Sequence, residues 1–301
     1  MNEYCSALEE DGVAIFLFHG VIHRQRHAIR NYTRKHLVEE RFVEVLEALR
    51  RTGRPVSMSE ISEALRTGHR LPPRAFAVTF DDGFENNCSI AAPVLKALEV
   101  PATFYVTTGF IGTGEASWTD RLEYAFERAG PVAVAVPPKG QRHVCATEME
   151  KRQLLDELRR VIKSERTIDP YTLADDVWRQ LGVETMEPDP ELDRKMSWRQ
   201  LEELEHHPLF LIGGHSHTHR ILEFLDDEEL EREIATSVRL IRERLGFGIT
   251  FYSYPEGLPH CYSERVMAAL RRHGVVCAVT AEPGVNRIGD DLFRLKRILV
   301  S

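Results

Sequence analysis

Two adjacent carboxylates, Asp81 and Asp82, follow the apolar run Ala77-Val78-Thr79-Phe80 and precede Gly83. Two histidines four positions apart, His215 and His219, follow Leu211-Ile212-Gly213-Gly214. A third histidine, His19, ends the run Ala14-Ile15-Phe16-Leu17-Phe18. Histidines at i and i+4 can face one ion if the backbone makes a helical turn between them. Adding one carboxylate gives three protein ligands and leaves a position for water, the arrangement of a catalytic rather than a structural zinc site. Water on such an ion has its pKa lowered from about 15.7 towards roughly 7. Only one of the two aspartates is needed as a ligand. The other is then available as a general base, and the nearby cation keeps it ionised. Two histidines and a carboxylate also form the facial triad of non-haem Fe(II) oxygenases, but those sites commonly sit on all-β jelly rolls. His217 falls between the pair and is expected to face solvent or to support a ligand. His206 and His207 close a polar helix before Pro208, where the helix C-terminus favours them.

The elements that must position these groups alternate along the chain. Strands are expected at Val13 to Phe18, Phe76 to Phe80, Ala102 to Thr107, Leu209 to Ile212, Ile249 to Tyr254 and Val275 to Val279, with a last one within Leu292 to Val300. Between them lie helical patterns. Val38 to Arg51 places Phe42, Val45, Leu46 and Leu49 on one face, and Ser57 to Gly68 carries a Ser57/Glu60 capping box and a terminal glycine. Others cover Ala91 to Leu98, Glu228 to Leu245 ending at Gly246, and a helix from Ser263 that ends at Gly274. Strands separated by helices imply parallel pairing. Seven or so units predict an α/β fold, a distorted (β/α) barrel of about seven parallel strands, ahead of a doubly wound open sheet. A barrel gathers the C-terminal ends of its strands at one mouth, where all three clusters would meet. The stretch from about 115 to 195 breaks the rhythm with mostly helical signals, including the Thr147/Glu150 cap and Asp175 to Leu181. Only Val132 to Val136 there is apolar enough for a strand, and Pro188-Asp189-Pro190 reads as a loop. Residues 1–301 are therefore expected to form one domain with a helical insertion.

Composition bounds the remaining choices. With 301 residues, 43% hydrophobic and 29% charged, the chain can bury a sizeable core. A formal net charge of -8 argues against non-specific binding to nucleic acid or to an anionic membrane. No apolar stretch approaches a membrane span. The first residues have neither a basic segment nor an apolar run, so no secretory leader is expected. Cys5, Cys88, Cys145, Cys261 and Cys277 are odd in number and scattered, which suits free thiols in a reducing compartment. A cytoplasmic protein is expected.

On its motifs the sequence resembles the NodB-homology polysaccharide deacetylases, carbohydrate esterase family four. Thr79-Phe80-Asp81-Asp82-Gly83 matches that family's first motif and His215-Ser216-x-x-His219 its second, and Pro101-Ala102-Thr103-Phe104-Tyr105 adds a following strand. The resemblance runs from about Val13 to Ile298 and is weakest in the insertion. It implies a distorted (β/α) barrel, an N-acetylated amino sugar or glycan as substrate, and a divalent metal. That metal is usually Zn2+, with Co2+, Ni2+ or Mn2+ as alternatives. By position it makes Asp81 the general base and Asp82, His215 and His219 the metal ligands. The family's last motif, Leu-x-His, supplies a general acid near the C-terminus. No histidine follows His273 here, whereas Leu17-Phe18-His19 fits the motif at the opposite end, as in exopolysaccharide-type members that look circularly permuted. His19 is therefore assigned as the acid. The third motif departs from the pattern, because Tyr252-Ser253-Tyr254-Pro255-Glu256-Gly257 lacks the arginine that orients the base. Arg294 or Arg297 could replace it, and Arg297 is preferred. The backbone N–H of Glu256 takes the oxyanion-stabilising position. Tyr254 is expected to line the pocket or pack in the barrel, and Trp118 and Trp198 could stack on a sugar ring. The expected activity is metal-dependent removal of an N-acetyl group. Alternatives on the same scaffold are deformylation, O-acetyl ester cleavage, or a barrel that binds saccharide without turnover. A cytoplasmic address favours a nucleotide-linked or lipid-linked sugar, or a small glycoside, over a finished extracellular polymer.

Overall fold

A computed structural model describes residues 3–137 and 140–301 of the chain. Seven strands form its main sheet: β1 (Val13–Phe18), β2 (Ala75–Phe80), β3 (Ala102–Val106), β4 (Phe210–Gly214), β5 (Phe251–Ser253), β6 (Cys277–Val279) and β7 (Ile298–Leu299). All pair in parallel, in the order β6-β5-β4-β3-β2-β1-β7. A parallel bridge between Val279 and Leu295, just before β7, brings the two ends of this order together. The result is a distorted (β/α) barrel, as the strand–helix alternation predicts, and not an open doubly wound sheet. Two short strands of this sheet escaped sequence reasoning, Arg54–Pro55 beside β2 and Val285–Asn286 antiparallel to β1, as did a separate parallel pair, Gly20–Ile22 with His36–Val38. Two or three residues carry no periodicity.

Side chains alternate across each strand. Phe16 and Phe18 of β1, Phe76, Val78 and Phe80 of β2, and Phe104 of β3 share one buried layer with α1 (Glu39–Thr52) and neighbouring helices. Phe80 stacks on Phe18 and on Phe104, with centroids 5.4 and 5.2 Å apart. The opposite faces, with Val13, Ile15, Ala77, Tyr105, Cys277 and Val279, fill the barrel interior. Met58, Ile61 and Leu65 of α2 (Met58–Thr67) belong to that same cluster. The expected capping box at Ser57/Glu60 is formed, and Gly68 closes α2 at φ 77°. After β2, a π-turn at Asn87–Ala91 leads into α3 (Ala92–Ala97), shorter than the predicted helix.

The stretch from 115 to 195 contains α4 (Trp118–Arg128), α5 (Glu148–Ser164) and α6 (Pro170–Gln180). Val132–Val136 is a strand, and its partner is Gln141–Cys145, too polar to be predicted. Leu122, Phe126, Leu154, Leu158 and Val177 form a hydrophobic cluster separate from that of the barrel. The remaining helices are α7 (Trp198–Glu205), α8 (Asp227–Leu245) and α9 (Glu264–Arg272). Among the described residues no helix is long and apolar enough to cross a membrane.

Candidate metal centre and active site

Strand alternation continues past the ends of β1 and β2 and delivers two of the polar groups. Leu17 pairs with Thr79 and Phe18 with Phe80, and the Asp81 N–H donates to the Phe18 carbonyl at 3.0 Å. His19 and Asp81 therefore stand side by side, two residues beyond inward-facing Leu17 and Thr79. Both line a cavity of about 330 Å³ at the barrel mouth, with Asp82, His215, His219, Tyr254, Glu256 and Arg297.

Asp82 then takes φ 72° and Gly83 φ 73°, so the chain reverses and the two carboxylates diverge. A left-handed backbone is uncommon outside glycine, though aspartate tolerates it. Of the eight non-glycine residues with positive φ among those described, Asp82, Ser216, His219 and Glu256 are four. Such strain collects where function holds the backbone in place.

Asp82 Oδ1 lies 3.5 Å from His215 Nε2 and 3.2 Å from His219 Nε2. The two rings are 4.9 Å apart at 72°. The segment that joins them is not the helical turn expected from i, i+4 spacing. It is an irregular bend with Ser216 and His219 left-handed. Side-chain hydrogen bonds fix that bend. The Ser216 N–H donates to the Tyr252 hydroxyl at 2.9 Å, the His219 N–H to Ser216 Oγ at 2.9 Å, and the Glu233 carboxylate of α8 accepts the N–H groups of His217 and Thr218 at 2.8 and 2.9 Å. His217 turns aside to Thr108 Oγ1, 3.0 Å from its Nδ1. His215 Nδ1 is 2.8 Å from the Ser253 carbonyl, which directs Nε2 at the aspartates.

One oxygen and two imidazole nitrogens thus converge within 4.8 Å. Asp82 Oδ1 is buried and has no hydrogen-bond partner. A buried carboxylate oxygen aimed at two imidazoles with nothing donating to it fits a cation site, and the donor set suits zinc or a similar divalent ion. Burial opposes the charge on Asp82, but Lys35 and then His219 outweigh it and hold the carboxyl well below the usual range. For His215, burial favours the neutral ring, yet Asp81 and Asp82 prevail and raise its affinity for a proton.

Asp81 has a different environment. Arg297 Nη1 donates to Oδ1 at 2.8 Å and Nη2 to Oδ2 at 2.7 Å, and Ser253 Oγ donates to Oδ2 at 3.0 Å. Arg297 is in turn fixed by the Thr280 carbonyl, 2.6 Å from Nε. Burial alone would raise the Asp81 carboxyl, but Arg297 brings it below its ordinary value. Arg294 instead pairs with Glu264 and Asp291 at the surface. Glu256 borders the cavity at φ 62°, and its side chain is not a bystander. Lys163 of α5 meets it at 2.5 Å, tying the third-motif turn to the insertion. His19 is half-buried, its Nδ1 is buried and has no hydrogen-bond partner, and desolvation pushes its pKa down to about 4. Tyr254 both lines the cavity and packs in the core, donating to the Phe293 carbonyl at 2.9 Å. Trp118 is buried in the insertion and Trp198 packs against the barrel core, so neither ring lines the main cavity.

Several contributors have no role assigned from the sequence. Lys35 lies 3.1 Å from Asp82 Oδ2, Ser253 supports both Asp81 and His215, and Ser117, Thr119, Arg159 and Lys163 bring the insertion to the cavity. Ser253 lay within the third motif and could have been found there; the others depend on tertiary packing.

Comparison with known proteins agrees with this architecture. A polysaccharide deacetylase family model matches residues 68–278. A segment of 66 residues is 38% identical to poly-beta-1,6-N-acetyl-D-glucosamine N-deacetylase of Escherichia coli K12, covering 22% of this chain and about a tenth of that protein's length. Among solved structures, IcaB from Ammonifex degensii superposes with a TM-score of 0.62 at 20% identity, over 97% of this chain and 93% of its own. The Streptococcus pyogenes deacetylase PplD, in complex with acetate, gives 0.61 at 15% identity over 96% and 92%. The BpsB deacetylase domain from Bordetella bronchiseptica gives 0.55 at 20% identity over 96% and 95%. At these identities the structures speak for the fold.

Proposed function

The chain belongs to the polysaccharide deacetylase family, and from that premise we propose that it hydrolyses the N-acetyl group of an amino sugar within a glycan or sugar conjugate. The observation that carries this reading is the convergence of Asp82, His215 and His219 beside the Asp81–Arg297 pair. A divalent ion held by Asp82, His215 and His219, most simply Zn2+, would acidify a water and polarise the amide oxygen.

The chain's own groups then have defined work. Asp81 accepts a proton from the attacking water. Its two bonds from Arg297 keep it ionised and fix its orientation. As the water oxygen bonds to the carbonyl carbon, the amide oxygen becomes negative and the Glu256 N–H donates to it. His19 gives a proton to the departing nitrogen, the C–N bond breaks, and acetate and a free amine result. In the resting site desolvation keeps His19 near 4. Negative charge developing beside it raises its proton affinity when the acid is needed. The position of His19 just past the end of β1, next to β2, supports reading the Leu17-Phe18-His19 motif as the relocated last motif of a permuted chain.

A saccharide-binding barrel without turnover would follow if Asp81 lacked an orienting arginine, and Arg297 on Asp81 removes that argument. The name of the Escherichia coli relative makes β-1,6-linked N-acetylglucosamine oligomers the first substrates to try. All five cysteines are free, which supports a reducing, cytoplasmic setting, so nucleotide-linked N-acetylhexosamines belong beside them. The test is acetate release by zinc-loaded protein from both classes. Asp82→Ala and His215→Ala should lose metal and activity together, whereas Asp81→Asn should retain metal and lose turnover. Full activity in Asp81→Asn would remove the base assignment. Metal bound without acetate release from any substrate would redirect the search to formyl or O-acetyl groups.

A further inference from the structure

Four charges, three of them buried and one, Lys35, half-buried, run in a line away from the proposed ligands. Lys35 Nζ lies 3.1 Å from Asp82 Oδ2 and 3.4 Å from Asp120 Oδ1, and Lys195 Nζ lies 3.0 Å from Asp120 Oδ2. Asp120 is in the first turn of α4, and Lys195 rests with its ammonium 3.2 Å from the centre of the Phe84 ring. The signs alternate from end to end. Asp82 is divided between its neighbours, with Oδ2 facing the ammonium and Oδ1, without a hydrogen bond, facing the two imidazoles. Lys35 comes from the loop between β1 and α1, whereas Asp120 and Lys195 lie near the two ends of the insertion.

We infer that Lys35 is a positioning residue that limits Asp82 to one metal-facing oxygen and sets the cation affinity of the site through a charge line reaching both ends of the insertion. The inference rests on Asp82, His215 and His219 being a metal site. An entering cation meets a fixed positive charge on the second oxygen of its own ligand, and like-charge repulsion weakens its binding. In return, the second oxygen cannot rotate inward to take a coordination position that water or substrate needs. Asp120 offsets the ammonium and Lys195 offsets Asp120. Removing successive charges must therefore change cation affinity with alternating sign. Residues with a merely structural role would weaken binding wherever they are removed.

The experiment uses the full chain, with Zn2+ affinity measured by competition against a chromophoric chelator and the visible spectrum of the Co2+-loaded protein as the second readout. Lys35→Met should bind Zn2+ about tenfold more tightly and Asp120→Asn about tenfold more weakly, the size seen when outer residues of metal sites are changed. The Co2+ bands of Lys35→Met should lose intensity as the second Asp82 oxygen raises the coordination number, and Lys35→Arg should restore them. Weaker binding in both variants, or changes under about twofold with an unaltered Co2+ spectrum, overturns the inference. If Lys35→Met does not fold, Asp120→Asn and Lys35→Arg decide: unchanged or tighter Zn2+ binding by Asp120→Asn refutes it. Absence of Zn2+ binding by the unmodified chain would instead defeat the metal-site reading itself. Normal binding there without the reversal of sign defeats only the role of Lys35.

Discussion

Replacing Arg297 with methionine tests whether the bidentate pair with Asp81 holds the candidate base in its charged state. Both side chains are almost fully enclosed, at 1% and 5% exposure, and the two N–O distances are 2.8 and 2.7 Å. Breaking a buried pair by removing one partner costs about 3–5 kcal/mol, because the other charge is left uncompensated. The Ser253 hydroxyl still donates to Asp81, which places the expected loss near about 3 kcal/mol. For a chain of 301 residues, with about 2.1 cal/mol/K of unfolding entropy per residue, that corresponds to a fall of roughly 5 °C in Tm. The loss must depend on pH in a defined direction. In the parent, Arg297 holds the Asp81 carboxyl below its ordinary value, so the stabilisation is full above the unfolded pKa and vanishes as pH falls through the folded one. Without Arg297 only burial remains, the carboxyl rises, and protonation relieves it. The deficit of Arg297→Met is therefore greatest near neutrality and shrinks on acidification. Urea unfolding in the presence of chelator, from neutral pH to about pH 4, measures this without a metal contribution. Adding Asp81→Asn to Arg297→Met should recover more than half of the loss, since no buried charge then stands alone. A deficit under about 0.5 kcal/mol, or one that grows on acidification, refutes the reasoning.

Three further outcomes follow from the same geometry. His19→Gln should retain metal, checked by elemental analysis, and lose about 10²–10⁴ in kcat as the proton donor disappears. Because Asp81 and Asp82 overcome burial to raise His215 above 6.5, protons should compete with the ion from above that pH, and chelator competition should show affinity falling from there as pH decreases. Glu233→Gln removes the charged acceptor of the His217 and Thr218 N–H groups. It should lower stability by about 1.5–3 kcal/mol and weaken Zn2+ binding by loosening His219, read by thermal melts and metal titration.

Much of this arrangement is legible in the sequence because it is local. The β1 strand matches its apolar run residue for residue, and the caps at Ser57/Glu60 and Thr147/Glu150 form as their spacing requires. Strand period also explains why His19 and Asp81 face the same mouth: each lies two residues beyond an inward-facing position. The i, i+4 histidines were recognisable as a pair, but the helical turn drawn for them was not what joins them. Ser216, Tyr252 and Glu233 hold a left-handed bend there, and no pattern within 215–219 encodes hydrogen-bond partners 15 or more residues away. Asp169 and Pro170 begin α6 with a side-chain cap, a signal that was present and passed over. Gln141–Cys145 shows the opposite case: it becomes a strand only because Val132–Val136 offers an edge. Lys35 belongs to no motif and acquires meaning only when its loop meets α4.

The adjacency of Asp81 and Asp82 poses a physical problem that the fold resolves. Two carboxylates on consecutive residues in a buried site repel each other, and one would ordinarily hold a proton. Here the left-handed turn at Asp82 separates their directions, and each meets its own cation, Arg297 for Asp81 and Lys35 for Asp82. Neither cation is near the aspartates in sequence. Arg297 precedes β7 and Lys35 follows β1, and these two strands pair beside β2. The order of strands around the barrel therefore does more than gather ligands. It brings one positive charge to each carboxylate from opposite ends of the chain, so both can remain ionised. That is the condition under which one of them can hold a cation while its neighbour accepts a proton.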